Sequence, residues 1–193
     1  MIQTKWKQKF YDDVKPIILK DPLAIFLGAM SVSEVFVFNY TDVVRLAGHS
    51  CPAVAGAYKI TEKALKALYN NEIPIRGEIK IRVLGSPTDG ANGPMAQVMS
   101  FITGAATETG FNGLLNKFVR ANKLIFDTTI EEFGAFIFER EDVNKRVKII
   151  YNPSILPQPD NMSQYFMKCI TGAATEEEKE SFKKIIEKEK RKD

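Results

Sequence analysis

Three side chains limit how this chain can be held together: it has one histidine and two cysteines among 193 residues. A closed structural zinc site takes four such ligands, so a single chain cannot build one from three. The same count excludes a framework of several disulfides. The fold must therefore rest on a hydrophobic core. With 45% hydrophobic residues over this length, the chain has enough for one domain with an appendage. Its 27 basic and 24 acidic residues leave a net charge of only +3, without the basic stripe of a nucleic-acid binder.

The first ten residues, from Met1 to Phe10, are interrupted by three lysines and offer no apolar stretch of signal-peptide type. The longest apolar stretches, 23–30 and 35–38, fall far short of the roughly 20 residues that cross a bilayer. These features predict a cytoplasmic protein that contacts neither membrane nor nucleic acid, with its two cysteines free in a reducing compartment.

Helical and extended patterns alternate along the chain. Trp6, Phe10, Val14, Ile17 and Ile18 recur at helical spacing, with Pro16 set to bend or end that segment. Asp21-Pro22 reads as an N-cap followed by proline at the first helical position, opening a helix through Met30. Residues 34–39 are rich in Val and Phe and read as a strand. A short helix over 43–47 follows, and then a longer one after Pro52, where Val54, Ala57, Ile60, Ala64 and Leu68 step by three or four.

Ile79, Ile81 and Val83 alternate with Lys80 and Arg82, the pattern of a half-buried strand. Two glycine-rich loops, 85–94 and 103–113, flank a helix at about 95–102, and three strands follow at 124–127, 133–140 and 147–151. Pro153, Pro157 and Pro159 form a connector. Beyond it comes a helix with Met162, Tyr165, Phe166, Cys169 and Ile170 on one side, where Cys169 reads as a core residue. Thr175 and Glu178 have the spacing of a capping box, which starts the last helix.

The predicted fold class is α+β, a mixed or antiparallel sheet with packed helices plus N-terminal and C-terminal helical extensions. Its divisions fall at 1–39, 40–152 and 153–193. One heptapeptide, Ile-Thr-Gly-Ala-Ala-Thr-Glu, occurs at both 102–108 and 170–176. Its simplest reading is a reused helix stop and restart, with Gly104 and Gly172 as left-handed caps.

The three scarce residues have one notable address. Pro52 makes Cys51 the natural N-cap of a helix, so its sulfur sits beside unpaired amides and the positive end of the dipole. That setting favours a thiolate. His49, two residues earlier, is close enough for both side chains to converge on one point. Thiolate and imidazole together suit metal ligation, haem ligation or nucleophilic catalysis. The plainer alternative is that His49 caps a neighbouring backbone group while Cys51 is a small buried hydrophobe.

Gly48-His49-Ser50-Cys51-Pro52, with the small-residue helix that follows, resembles the Gly-His-x-Cys-Pro-Gly signature of the formylmethanofuran dehydrogenase E-subunit family. Strand 79–83, Thr88-Asp89-Gly90-Ala91, helix 95–102 and Thr103-Gly104-Ala105 repeat the family's order of elements. The resemblance covers about 40–151. It implies an α+β domain, a homodimer and a metal site at the His-x-Cys turn. This chain departs from the pattern with Ala53 where the family has glycine, and with Ala91 and Ala105 where further cysteines can join the site. It also lacks the cysteine-rich zinc ribbon of some members.

Two ligands constrain what can be held. A zinc or iron ion on His49 and Cys51 keeps open positions for Asp89, water, a small-molecule ligand or a second subunit. Haem needs one or two axial ligands, an apolar slot and a group for its propionates. Met99, Phe101 and Phe111 are candidates for the slot and Arg120 for a propionate. Asp89 can instead orient His49 from behind, and Glu108 and Asn112 are further polar candidates by position alone. Two other readings remain: an enzyme using Cys51 as nucleophile and His49 as base without metal, and an adaptor with a vestigial metal site.

Overall fold

The computed structural model describes residues 3–155 and 162–189. Residues 14–151 make one compact unit, and the segments 1–13 and 152–193 make another.

In the first unit, Pro16 and the β-branched pair Ile17-Ile18 oppose a continuous helix, and none forms across 6–18. A single 3-10 turn, Lys9–Asp13, belongs to the other unit, and Ile17–Leu19 is strand β1 of this one. That strand pairs antiparallel with β2 (Phe36–Phe38), Ile17 opposite Phe38. Backbone pairing and the burial of Ile17 and Leu19 outweigh the helical spacing. Between the two strands lies α1 (Pro22–Phe26), which opens on Asp21 as predicted. It ends at Phe26 rather than 30, where Ala29 N donates to Ala24 O at 2.8 Å.

Helices α2 (Tyr40–Ala47) and α3 (Pro52–Tyr69) lead to β3 (Ile79–Leu84). α4 (Asn92–Thr103) then carries the chain towards β4 (Leu124–Asp127), β5 (Ala135–Arg140) and β6 (Lys145–Ile150). The four-stranded sheet has the order β4-β3-β5-β6. β3 runs parallel to β4 and antiparallel to β5, and β5 runs antiparallel to β6. The class is therefore α+β with a mixed sheet.

The alternation in β3 explains its central place. Ile79, Ile81 and Val83 are fully buried while Arg82 faces water. Phe136 and Phe138 on β5 join them, and the helices supply Ala57, Tyr58, Ala64 and Leu68 from α3 and Met95, Met99 and Ile102 from α4. Each large apolar side chain removed from water in this way contributes about 1.5–3 kcal/mol.

In the other unit, Trp6 and Phe10 both meet Tyr11 edge-on, with ring centroids 5.7 and 4.8 Å away. Helices α5 (Met162–Ile170) and α6 (Glu176–Glu189) lie beside each other, with Phe166 and Phe182 at 6.1 Å and an ion pair from Lys168 to Glu178. Phe166 and Ile170 remain largely exposed, and Cys169 is half-buried rather than a core residue. Pro153 opens a 3-10 turn, whereas Pro157 and Pro159 lie outside the described residues. Among the described residues no helix is long and apolar enough to cross a membrane.

The two copies of the heptapeptide diverge in an instructive way. Both stop a helix: Gly104 and Gly172 take left-handed backbones at φ 75° and 74°, and Thr103 and Thr171 each donate back to the fourth residue before them at 2.8 Å. Only the second copy restarts one. Glu178 N donates to Thr175 Oγ1 at 3.2 Å and Thr175 N donates to the Glu178 carboxylate at 3.0 Å, the reciprocal box. In the first copy the residue three after Thr107 is Gly110, which has no carboxylate to answer with, and the chain stays in a loop.

Candidate functional site

The turn between α2 and α3 is built by three backbone devices. Gly48 ends α2 in the left-handed region, at φ 72°, which a side chain would oppose. Cys51 is extended at φ −141° and acts as N-cap, and Pro52 occupies the first helical position. Cys51 O accepts the first intrahelical bond, from Ala55 N at 3.0 Å. Between these points Ser50 is held by Tyr40, hydroxyl to hydroxyl at 2.7 Å. Tyr40 in turn meets Tyr58 edge-on at 5.4 Å, and the fully buried Tyr58 hydroxyl faces the carbonyls of Phe38 at 2.9 Å and Lys15 at 3.0 Å. Burial raises the Tyr58 pKa, so its proton stays on that anchor. The turn thus rests on the core.

Its two reactive side chains are left available. His49 is exposed, and its Nδ1 lies 2.9 Å from Ala47 O. A carbonyl only accepts, so Nδ1 is the donor here, and in the neutral ring the lone pair then belongs to Nε2. Cys51 is half-buried and free, and its sulfur makes no capping hydrogen bond. The amides of Ala53 and Val54 consequently lack an intrahelical acceptor beside it.

A third group reaches the same helix start. The Tyr151 ring, just past β6, lies against Gly56, where a Cβ would sit 2.4 Å from a ring carbon. Only glycine permits that approach. Burial raises the Tyr151 pKa, and the charge of Cys51 adds to the rise. Local sequence around the turn carries little sign of this contact: the one readable signal is Gly56 inside a helix, where alanine is otherwise favoured.

The other predicted residues lie elsewhere. Asp89 is exposed and caps its own turn, accepting from Ser86 N at 2.9 Å. Glu108 and Asn112 are exposed. Of the suggested haem walls, Met99 is fully buried in the core, Phe101 stands edge-on to Phe38 at 5.3 Å, and Phe111 is exposed. Among the described residues no group of three or more His, Cys, Asp or Glu side chains is placed to hold a metal ion, so Asp89 does not join His49 and Cys51 in one.

Arg120 belongs to a different cluster. It is 6% exposed and donates to the equally buried Asp21 at 2.7 Å. The other Asp21 oxygen accepts from Arg76 Nη1 at 3.0 Å, and Arg76 also donates to the carbonyls of Phe101 and Ile102. Asp21 completes its set by capping α1, accepting from Leu23 N and Ala24 N at 3.0 and 3.3 Å. One carboxylate therefore ties three distant stretches together. Burial lowers the Arg120 pKa against the opposing pull of Asp21, and the Arg76 charge lowers it further. The positive charge predicted for a propionate is already matched.

No family model, curated protein or solved structure matches this chain.

Proposed function

We propose that the His49–Cys51 turn is a two-ligand site for a divalent transition-metal ion, zinc or iron, whose remaining positions are completed by a small-molecule ligand, by water or by a second copy of the chain. The observation that carries this reading is the His49 Nδ1 contact with Ala47 O, which makes Nε2 the ligating nitrogen of the neutral imidazole, two residues from an uncapped thiol. A neutral imidazole and a thiolate are a donor set that zinc and ferrous iron accept. Two protein ligands leave the ion open, the arrangement of a reactive rather than a structural centre.

The haem alternative draws less support. Met99 and Phe101 are engaged in core packing, and Arg120 is engaged by Asp21. Two free cysteines fit a protein of the cytoplasm. A homodimer fits the need for ligands from outside one chain.

The test is titration of the full-length protein with Co²⁺ as a spectroscopic stand-in for zinc. A thiolate-to-cobalt absorption band is expected, abolished by Cys51→Ala and by His49→Ala and unaffected by Cys169→Ala. A band that survives both substitutions, or none in the parent protein, would overturn the reading. Rapid alkylation of Cys51 that His49→Ala slows, in a protein without that band, would favour a metal-free nucleophile instead.

A further inference from the structure

A second feature has no part in that turn. Residues 111–120 form a small hairpin: Leu114 and Lys117 exchange both backbone hydrogen bonds at 2.9 Å, and Arg120 N donates to Phe111 O at 2.8 Å. Its two tip residues, Leu115 and Asn116, have φ of 47° and 63°, and Phe118 has φ of 61°. Such a turn requires left-handed backbone at both central positions, which is why Asn-Gly is its usual content. Leucine and phenylalanine adopt it at a cost in backbone energy.

Burial does not repay that cost at the tip, since Leu115 is 97% exposed. The Phe118 ring meets Phe26 of α1 at 5.4 Å, and Phe26 and its neighbour Leu27 are 65% and 63% exposed. The hairpin and the end of α1 therefore meet through this ring pair, with Leu115, Phe26 and Leu27 all exposed.

Charge selects their occupant. Residues 22–33 carry no charged side chain, and residues 109–126 carry Lys117, Arg120 and Lys123 with no acid. Arg120 is paired with Asp21 and Lys123 with Glu141, whereas Lys117 has no ion-pair partner among the described residues. A two-fold contact would set these two stretches against themselves, and neither 22–33 nor 109–126 holds a carboxylate to meet the two lysines, Glu34 and Glu108 standing just outside them in sequence. A projecting apolar tip beside an unpaired lysine instead suits a bilayer surface with anionic headgroups.

We propose that the 111–120 hairpin and the end of α1 dock this protein peripherally on anionic lipid, with Leu115 entering the headgroup–acyl boundary and Lys117 meeting a lipid phosphate or carboxylate. The short apolar runs that oppose a spanning segment do not oppose such a tip. At this hairpin the proposal departs from the expectation of no membrane contact.

The experiment is co-sedimentation of the full-length protein with phosphatidylcholine vesicles, with and without phosphatidylserine. Retention on the serine-containing vesicles is expected. Leu115→Asn should weaken it about tenfold, the equivalent of losing one buried leucine. The same substitution should raise Tm, because asparagine accepts a left-handed backbone. Loss of binding with a raised Tm cannot come from unfolding. Lys117→Gln should weaken retention about fivefold, on anionic vesicles alone. Absence of retention on either vesicle, or retention indifferent to both substitutions, would overturn the proposal. So would a lipid-free dimer that Leu115→Asn dissociates, which would assign the surface to a second copy.

Discussion

Two helices in this protein begin with the same local device, a non-helical residue followed by proline, and they put it to opposite uses. At Asp21-Pro22 the cap side chain is almost wholly buried and spends its oxygens on two amides and two arginines. At Cys51-Pro52 the cap side chain bonds to nothing, and the amides beside it have no partner within the helix. A fully satisfied polar group at a helix start holds the fold. An unsatisfied one on a rigid support is free for a ligand.

Asp21→Ala breaks the first half of that comparison and should have the largest effect. It leaves Arg76 and Arg120 without their carboxylate, and removing one partner of a buried ionic cluster costs about 3–5 kcal/mol. Urea denaturation monitored by circular dichroism measures it. Cobalt binding at His49 and Cys51, assayed below the unfolding midpoint, should survive.

Cys51→Ser inverts the second half. Serine is a good cap where cysteine makes no such bond, so its hydroxyl should accept from Val54 N and stabilise the protein by about 1 kcal/mol. The cobalt band should vanish at the same time. A variant that is both more stable and unable to bind would mark residue 51 as kept for chemistry; a destabilised one would make Cys51 a packing residue.

The smallest effect sharpens the contrast at Tyr151. Its pKa lies above the ordinary value chiefly through burial, with Cys51 adding to the rise. A raised tyrosine pKa means that its contribution to stability is complete below the unfolded-state value and is lost as pH climbs through the folded-state value. Cys51→Ala should lower the Tyr151 titration midpoint only slightly, followed by NMR of ring-labelled tyrosine. A return to the ordinary value would show that charge, not burial, controls it.

Legibility in the sequence follows the range of the interactions. The bounds of β4 are those predicted, and β3 follows its alternation closely, because a strand's burial pattern is written in adjacent residues. The Asp21-Pro22 and Cys51-Pro52 helix starts are equally readable, since capping is local. A helix over 6–18 does not form, because pairing with β2, some 20 residues on, overrides the spacing. The geometry of the site divides in the same way. His49, Ser50 and Cys51 share a turn, whereas Tyr151 arrives from the far end of the sheet, and nothing near Asp21 names Arg76 or Arg120. The hairpin tip is hidden because Leu-Asn is not the usual chemistry of its turn.

The link between Asp21 and Arg120 spans 99 residues of chain. At translation speeds of about 5–20 residues per second, Asp21 leaves the ribosome about 5–20 s before Arg120 does. Throughout that interval β1, α1 and β2 lack at least one of the two guanidinium groups that make burial of the carboxylate tolerable, and until Arg76 is made they lack both. Full burial of Asp21 between its two arginines is therefore timed by a residue 99 positions further along the chain.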